Sequence, residues 1–145
     1  PGDNYATLLE KAHRECGVIL HDALQQLVRG AIRAIPQDHI SQEGFYCHQR
    51  KPGDEWIDWR WNSEQIVDFI RALCRPGPMA RARTKGAEIY IHAAKILPCR
   101  PYLASPGAIL GKQDGSLFVK TGDGIIQIND YHVEGKVRVG ERFEA

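Results

Sequence analysis

Glu88-Ile89-Tyr90-Ile91-His92 alternates polar and apolar side chains, and this stretch decides the fold. A period of two places both isoleucines on one face, which predicts a β-strand with one buried side. Residues 93–97 are predicted to extend the strand past a β-bulge. The spacing before residue 87 is helical, so we expect helices in the first half of the chain and strands in the second.

Further short strands are predicted at residues 108–111, 116–120, 125–128, 131–133 and 137–143. Gln113-Asp114-Gly115 supplies a hairpin turn, and Thr121-Gly122-Asp123-Gly124 supplies a second turn. Residues 134–136 separate the last two strands. Short strands at such close and regular spacing are typical of a small barrel or sandwich.

A short helix is predicted just before the strands, with Asn62 or Ser63 as its N-cap. Asn62 and Gln65 have the spacing of a capping box. The apolar face of this helix consists of Ile66, Phe69, Ile70 and Leu73. Pro76 and Pro78 are expected to end it, because proline cannot continue a helix.

The opening residues predict a long amphipathic helix that is capped by Asp3 or Asn4 and stops near Arg29-Gly30. Its apolar residues recur at helical spacing: Tyr5, Leu8, Leu9, Ala12, Cys16, Ile19, Leu20, Ala23, Leu24, Leu27 and Val28. One helix cannot bury so wide a stripe, so we expect it to pack on another surface. Residues 31–53, with their prolines and glycines, predict a linker between two folded units. The predicted fold class is α+β.

Composition fits a globular protein, since 43% of the 145 residues are hydrophobic and 26% are charged. No apolar run approaches the ~20 residues that span a bilayer, and no signal peptide is visible. The four cysteines, Cys16, Cys47, Cys74 and Cys99, form no close pair. This spacing disfavours a zinc site and indicates reduced thiols in a cytoplasmic protein.

Positive charge is concentrated between residues 71 and 100, where seven basic residues stand against the single acid Glu88: Arg71, Arg75, Arg81, Arg83, Lys85, Lys95 and Arg100. Such an excess attracts phosphate-bearing partners. It is equally typical of a sheet edge kept soluble by long basic side chains. Alternation places Arg81 and Arg83 on one face of an extended segment.

A family resemblance is carried by several stretches in a fixed order: His48-Gln49-Arg50-Lys51-Pro52, Ile57-Asp58-Trp59, Ile70-Arg71-Ala72-Leu73, Pro76, Pro78 and Ala80, Pro106-Gly107-Ala108-Ile109-Leu110, and Thr121-Gly122-Asp123-Gly124. In these residues the chain resembles the C-terminal part of the formyltransferases that act on methionyl-tRNA or on nucleotide-linked amino sugars. Leu8, Ala12, Gly17 and Leu20 resemble the last helix of that family's catalytic domain.

The resemblance implies a three-part organisation: residues 1–30 as the terminal helix of an upstream Rossmann-like catalytic domain, 31–53 as a linker, and 54–145 as an OB-like β-barrel. In that family the upstream domain binds 10-formyltetrahydrofolate and uses an Asn-x-His motif and an Asp. No Asn-x-His occurs here, so we expect no catalytic residue in this chain, and it is not the catalyst unaided. We also expect no metal ligand.

The expected role is to hold a phosphate-containing acceptor, either tRNA or a nucleotide-linked amino sugar. The candidate acceptor-binding residues are Arg50, Lys51, Arg75, Arg81, Arg83 and Lys85. For Arg50 and Lys51, a solvated linker is an equally good interpretation. Asp58 is expected to anchor the linker while Trp59 packs into the barrel or the domain interface.

The chain departs from the family in Pro76-Gly77-Pro78-Met79-Ala80-Arg81. Gly77 stands where an aromatic residue is usual, Met79 where glycine is usual, and Arg81 where a second aromatic residue is usual. These differences, and an early C-terminal end, favour an amino-sugar acceptor modestly over tRNA.

Two other functions remain open. A free-standing OB-like module would bind single-stranded nucleic acid by stacking bases on exposed aromatic side chains, for which Tyr90, Tyr102, Phe118 and Tyr131 are candidates. Alternatively, the opening helix pairs with a partner chain and forms a homodimer.

Overall fold

The computed structural model describes residues 2–98 and 102–144. The chain divides into two compact units, Leu8–Pro52 on one side and Pro1–Thr7 with Gly53–Ala145 on the other. Cys99 and Arg100, which belong to the predicted thiol set and basic stretch, lie outside the described residues. None of the described helices combines the length and the apolar character that crossing a membrane requires.

The predicted long helix is present as α1 (Tyr5–Val28). Asn4 caps it: its Oδ1 accepts a hydrogen bond from Thr7 N at 3.0 Å, and its own N–H donates to Thr7 Oγ1 at 2.9 Å. Gly30 follows the helix with φ +66°, as expected for a C-terminal stop. Within the described part of the chain, the apolar stripe stays exposed: Leu8, Val18, Ile19, Leu20, Leu24 and Leu27 each keep more than half of their surface.

The segment predicted as a linker is exposed throughout and contains one element that we did not predict. This is α2 (Gln37–Ile40), a single helical turn that follows Pro36. Proline suits the position just before a helix because its fixed φ and missing N–H cost nothing there.

The predicted short helix is α3 (Ser63–Leu73), and its capping box is confirmed. Gln65 N donates to Asn62 Oδ1 at 2.8 Å, and Asn62 N donates to Gln65 Oε1 at 3.1 Å. The helix buries Ser63, Ile66, Ile70 and Leu73. It ends before Cys74, ahead of the two prolines, as expected.

Five antiparallel strands form one sheet: β1 (Ala80–Thr84), β2 (Ala87–Leu97), β3 (Ile109–Gln113), β4 (Ser116–Lys120) and β5 (Ile125–Gly135). Their order is β1-β2-β5-β4-β3. The α+β class is therefore confirmed. So are the bulge in β2 and the β3–β4 turn, where Asp114 and Gly115 have φ +48° and +76°.

Three strand predictions need correction. Ala80–Thr84 form the strand β1, whereas the sequence predicted only an extended segment at Arg81 and Arg83. Residues 125–135 form one continuous strand rather than two, because Asp130 pairs with Ala93 at the bulge and keeps the ladder intact. Residues 137–143 form no strand beyond a single bridge at Arg142, because a turn intervenes in which Glu141 N donates to Arg138 O.

That C-terminal segment instead closes the open sheet. Ile109 N donates to Glu141 O, and Phe143 N donates to Gly107 O, both at 2.9 Å. Glu144 N donates to Arg83 O at 2.8 Å. The segment therefore bonds to the β3 side and to the edge strand β1, which makes the sheet barrel-like.

The core is centred on Trp59 and Phe143, whose rings stack with centroids 5.1 Å apart and an interplanar angle of 13°. Each side chain is 1% exposed. Gly107 lies against both, with φ +86°, and a β-carbon there would lie 2.8 Å from Phe143 O and 3.3 Å from Trp59 Cγ. Only glycine allows this approach without a shift.

A hydrogen-bonded group joins α3 to the β4–β5 turn. Asp123 Oδ1 accepts from Ser63 N at 2.7 Å and from Ser63 Oγ at 2.8 Å. Thr121 Oγ1 lies 2.8 Å from Ser63 Oγ and accepts from Gly124 N at 2.9 Å. These hydrogen bonds, those from Ser63 first, hold the pKa of Asp123 below its ordinary value of 3.8.

Removing either stacked ring should destabilise the fold strongly. We expect Trp59→Ala and Phe143→Ala each to lower the free energy of unfolding by about 3–5 kcal/mol in urea titrations. The double variant should reveal a coupling of about 0.5–1.5 kcal/mol. Phe45→Ala is the matched control, since Phe45 is 85% exposed. Equal costs for Phe143→Ala and Phe45→Ala would contradict this packing.

Asp123→Ala should cost about 1–2 kcal/mol, because α3 loses a carboxylate cap. Asp123→Asn removes only the charge. Because the folded pKa is lowered, the stability that the charge contributes is present above pH 3.8 and is lost as pH falls through the folded pKa. The difference between Asp123→Asn and the unmodified chain should therefore shrink in acid. Asp114→Asn, at the exposed β3–β4 turn, is the control. A difference that is constant with pH would rule out the carboxylate cap.

Candidate functional site

The six candidate basic residues divide between the two compact units. Arg50 and Lys51 are exposed and lie at the end of Leu8–Pro52. Arg75, Arg81, Arg83 and Lys85 belong to the other unit, in the turn after α3, in β1 and in the β1–β2 turn. Arg81, Arg83 and Lys85 follow one another along β1 and its turn, and Arg75 lies in the turn before β1.

Arg81 lies on the outward side of β1 and is held by two neighbours on β2. Its guanidinium carbon is 5.0 Å from the centroid of the Tyr90 ring, and Nη1 is 3.5 Å from Glu88 Oε1. Tyr90 is its cross-strand partner in the ladder. Arg81 Nε is buried and has no hydrogen-bond acceptor among the described residues. The side chain is therefore positioned by a ring and an acid rather than extended into solvent.

Arg83, two residues along the same face, is held in the same manner. Its guanidinium carbon lies 5.2 Å from the Trp56 ring centroid, and Nε is 2.7 Å from Glu144 Oε2. Trp56 and Arg81 are joined by an isolated β-bridge. On the far side of Tyr90, His132 of β5 lies 6.3 Å away between ring centroids.

We call these five side chains, Trp56, Arg81, Arg83, Tyr90 and His132, the arginine–aromatic face. A guanidinium stacked on a ring keeps its edge N–H groups free for an anion, and this geometry suits phosphate. Glu88 and Glu144 reduce the net charge of the face. A phosphate would have to compete with them.

Lys85 and Arg75 differ from these two arginines. Lys85 is exposed in the β1–β2 turn, and Arg75 is exposed in the turn after α3. Neither side chain forms a hydrogen bond or ion pair with a described residue. They therefore carry the uncompensated positive charge of this surface.

The Glu88 carboxylate, which favours the protonated phenol, is the first cause that raises the pKa of Tyr90 above its usual value of 10.0. Desolvation and the negative charges of Glu88 and Glu134 act in the same direction, and Arg81 opposes them. The phenol therefore stays neutral and can donate.

Asp58 was expected to anchor the linker, but the hydrogen bonds that its carboxylate accepts come from Arg60, two residues along the chain. Its carboxylate accepts from Arg60 Nε at 2.8 Å and from Arg60 Nη2 at 2.6 Å. These bonds lower the pKa of Asp58 to about 2, so it is ionised at neutral pH. Trp59 beside it is buried, as predicted.

Met79 keeps a backbone conformation that favours glycine. Its φ is +66°, at the position where the resembled family usually has Gly. An L-residue there is strained by about 1–2 kcal/mol. The turn keeps its shape because Met79 N donates to Leu73 O at 2.8 Å and Gly77 N to Cys74 O at 2.7 Å.

Cys16 and Cys47 are exposed free thiols, and Cys74 is a buried one. Across residues 2–98 and 102–144, no group of three or more His, Cys, Asp or Glu side chains is arranged to hold a metal ion.

One apolar groove of the chain does not suit a folate. An apolar groove of about 510 Å³ is lined by Leu97, Tyr102, Leu103, Ala104, Leu110, Phe118 and Ile125. Among these side chains only Tyr102 carries a polar group, whereas a pterin ring needs several donors and acceptors.

Sequence reasoning missed the partners of the two arginines. Glu88 was noticed only as the single acid in the basic stretch, although its place opposite Arg83 in the ladder follows from the β1–β2 turn. Glu144 and Trp56 reach Arg83 from distant parts of the chain, and no local pattern indicates them.

Comparisons with known proteins agree with the resemblance. The family described as "Formyl transferase, C-terminal domain" matches residues 50–142. Methionyl-tRNA formyltransferase of Streptococcus agalactiae serotype III (strain NEM316) is 28% identical over 137 residues, covering 94% of this chain and 42% of the relative. The same enzyme of Streptococcus pyogenes serotype M12 (strain MGAS2096) is 27% identical over the same coverage.

Among solved structures, a multiply substituted HypX from Aquifex aeolicus is similar, with a TM-score of 0.52 and 20% identity, over 81% of this chain and 20% of that one. This likeness concerns the fold alone. The chain spans less than half the length of the curated relatives that it matches.

The contacts of Tyr90 predict how its titration responds to its neighbours. Glu88→Gln should lower the pKa of Tyr90, because it removes the carboxylate that favours the protonated phenol. Glu134→Gln should lower it less, and Arg81→Gln should raise it. NMR titration of the labelled tyrosine ring measures all three. An unchanged pKa in Glu88→Gln would contradict this influence of Glu88 on the phenol.

Proposed function

Because the chain belongs to the formyl transferase C-terminal domain family, we propose that it is the C-terminal region of a 10-formyltetrahydrofolate-dependent formyltransferase. Its role is to position an amine-bearing, phosphate-containing acceptor for N-formylation in an upstream catalytic domain. The cofactor is bound by that domain, and not by this chain.

The proposed organisation assigns residues 1–30 to the terminal helix of the catalytic domain, 31–53 to the linker and 54–145 to the C-terminal domain. The exposed apolar stripe of α1 supports this assignment, since Leu20, Leu24 and Leu27 are each more than half exposed. A stripe of this kind is expected to be covered by another folded surface. The relatives are long enough to contain one, since the matched region is 42% of their length.

Positioning matters because formyl transfer needs a neutral amine placed against the formyl carbon. Groups that stabilise the tetrahedral oxyanion belong to the catalytic domain. A second domain that fixes the phosphates of the acceptor reduces the entropy lost in reaching that geometry. Phosphate contacts give position without sequence information, so a rigid basic surface is sufficient.

The observation that carries the proposal is the arrangement of cations along β1. Arg81 and Arg83 lie on one face, each over an aromatic ring, and Lys85 follows in the adjoining turn. Stacking fixes the guanidinium planes before any ligand arrives, which lowers the ordering cost of binding. Arg75 and Lys85 add charge that no described acid pairs with in an ion pair.

The acceptor is proposed to be methionyl-tRNA or a nucleotide-linked amino sugar. The similar relatives are named for methionyl-tRNA, which supports the first. Arg81, in place of a family aromatic, still makes a ring contact through Tyr90, so the departure alters this surface without removing its aromatic character. Competition between tRNA and a nucleotide-linked amino sugar for binding to the chain separates the two acceptors.

Two other functions can be tested with the same purified chain. A nucleic-acid module would prefer single-stranded RNA to folded tRNA and lose binding with Tyr90→Ala, because bases stack on exposed rings. An oligomerisation domain would sediment as a dimer and become a monomer when Leu20 and Leu24 are replaced by Glu.

If cations of this surface bind tRNA phosphates, the salt dependence of binding should decrease when they are removed. We expect Lys85→Gln and Arg75→Gln each to reduce the slope of log K against log salt by roughly 1. Arg50→Gln and Lys51→Gln test the linker pair in the same assay. Lys112→Gln, on the exposed part of β3, is the matched control. Slopes unchanged in all four candidate variants would exclude phosphate binding by these residues.

A further inference from the structure

A cavity of about 320 Å³ lies where the end of α3, β2 and β5 meet the first residues of the chain. It is lined by the polar or charged residues Asn4, Arg75, His92 and Asp130 together with Ala6, Cys74 and Ala93. We call it the bulge cavity. All of its lining residues belong to one compact unit. Its volume is at the lower end of the range for small-ligand sites, about 300–1,000 Å³.

The β-bulge in the β2–β5 ladder brings His92 and Asp130 to this cavity. Ile91 pairs with Tyr131 and Ala93 pairs with Asp130, so His92 between them has no partner on β5. An extra residue of this kind turns its side chain away from the regular alternation, and bulges are frequent beside binding sites. The strand is therefore shaped to present an imidazole and a carboxylate together.

The other two walls are fixed by backbone contacts. Arg75 lies within the turn that the two hydrogen bonds from Gly77 N and Met79 N hold, and a β-carbon at Gly77 would lie 2.7 Å from Leu73 O. Next to Asn4, Asp3 O accepts from Arg71 Nε at 3.0 Å. The walls therefore need little ordering when a ligand binds.

The charges that line the bulge cavity have no partners within the described residues. The side chains of Arg75, His92 and Asp130 form no hydrogen bond or ion pair there. Arg60, Arg71, Arg81 and Arg83, in contrast, each contact an acid. A guanidinium and a carboxylate that share one cavity without pairing suit a ligand with an anionic group at one end and hydroxyl donors at the other.

We propose that the bulge cavity binds the ribose phosphate unit of a ribonucleotide. Arg75 and His92 donate hydrogen bonds to the phosphate oxygens, which a guanidinium fork suits well. Asp130 accepts hydrogen bonds from the ribose hydroxyls, as carboxylates do in dinucleotide sites. This inference rests on the proposed function and deepens it, since tRNA and nucleotide-linked sugars both carry ribose phosphates.

The test uses the 145-residue chain and NMR titration of the His92 ring with AMP, 2′-deoxy-AMP and adenosine. AMP should bind at least roughly tenfold more tightly than 2′-deoxy-AMP, because a hydroxyl bonded to a charged carboxylate is lost. Adenosine should bind more weakly still. Arg75→Gln should weaken AMP binding by roughly tenfold. Asp130→Asn should reduce the preference for AMP over 2′-deoxy-AMP. Arg138→Gln, which replaces an exposed arginine outside the cavity, should change nothing.

The proposal is overturned if AMP does not bind, or if its affinity is the same in Arg75→Gln, Asp130→Asn and Arg138→Gln. A short oligoribonucleotide that competes with AMP identifies an RNA chain as the source of the ribose phosphate. Failure to compete identifies a free or carrier-linked nucleotide. Unchanged AMP binding in Arg75→Gln and Asp130→Asn, with a reduced tRNA salt slope in Lys85→Gln, refutes the cavity and leaves the proposed function standing. Weakened AMP binding in Arg75→Gln and Asp130→Asn, with an unchanged tRNA salt slope in Lys85→Gln, refutes the proposed function alone.

Discussion

The stack of Trp59 on Phe143 is the contact on which the rest of the unit formed by Pro1–Thr7 and Gly53–Ala145 depends. It fixes the C-terminal segment against the sheet, so that Glu144 reaches β1 and bonds to Arg83 through backbone and side chain alike. The same stack requires glycine at residue 107, since a β-carbon there would lie 2.8 Å from the backbone oxygen of Phe143 and 3.3 Å from Trp59 Cγ. A barrel of this size has few large core side chains, so one aromatic pair contributes much of its stability. The arginine–aromatic face is therefore positioned by the buried contact between Trp59 and Phe143.

The stretches that carry the family resemblance are explained by architecture rather than chemistry. Trp59 and Gly107 belong to the core contact, and Asp123 caps α3. Gly122 lies where a β-carbon would meet Arg60 O at 2.1 Å. None of these groups faces a ligand cavity described here. Four of the residues proposed to bind the acceptor, Arg75, Arg81, Arg83 and Lys85, lie outside these stretches, on β1 and in the two turns that flank it, where the chain also departs from the family. The other two, Arg50 and Lys51, lie within one of the stretches.

Local signals predicted local structure well. The Asn62–Gln65 capping box, the Asp114-Gly115 turn and the β2 bulge follow from residue chemistry within a few positions. Features set by distant contacts could not be predicted. Asn129-Asp130 suggests a turn, yet β5 continues because β2 supplies a bulge opposite it. The clustering of Arg81 and Arg83 was visible in the sequence, but their neutralisation by Glu88 and Glu144 depends on strand register and on the path of the C-terminal segment.

The most direct test of the proposed function measures formyl transfer by this chain joined to the proposed upstream catalytic domain, with Arg75→Gln and Lys85→Gln combined. If these cations bind the acceptor but take no part in the chemical step, KM for the acceptor should rise. The rate at saturating acceptor should stay within about twofold of that of the unmodified protein. KM for 10-formyltetrahydrofolate should not change. A fall in kcat with an unchanged acceptor KM would contradict the account, because it would place these residues in the chemical step.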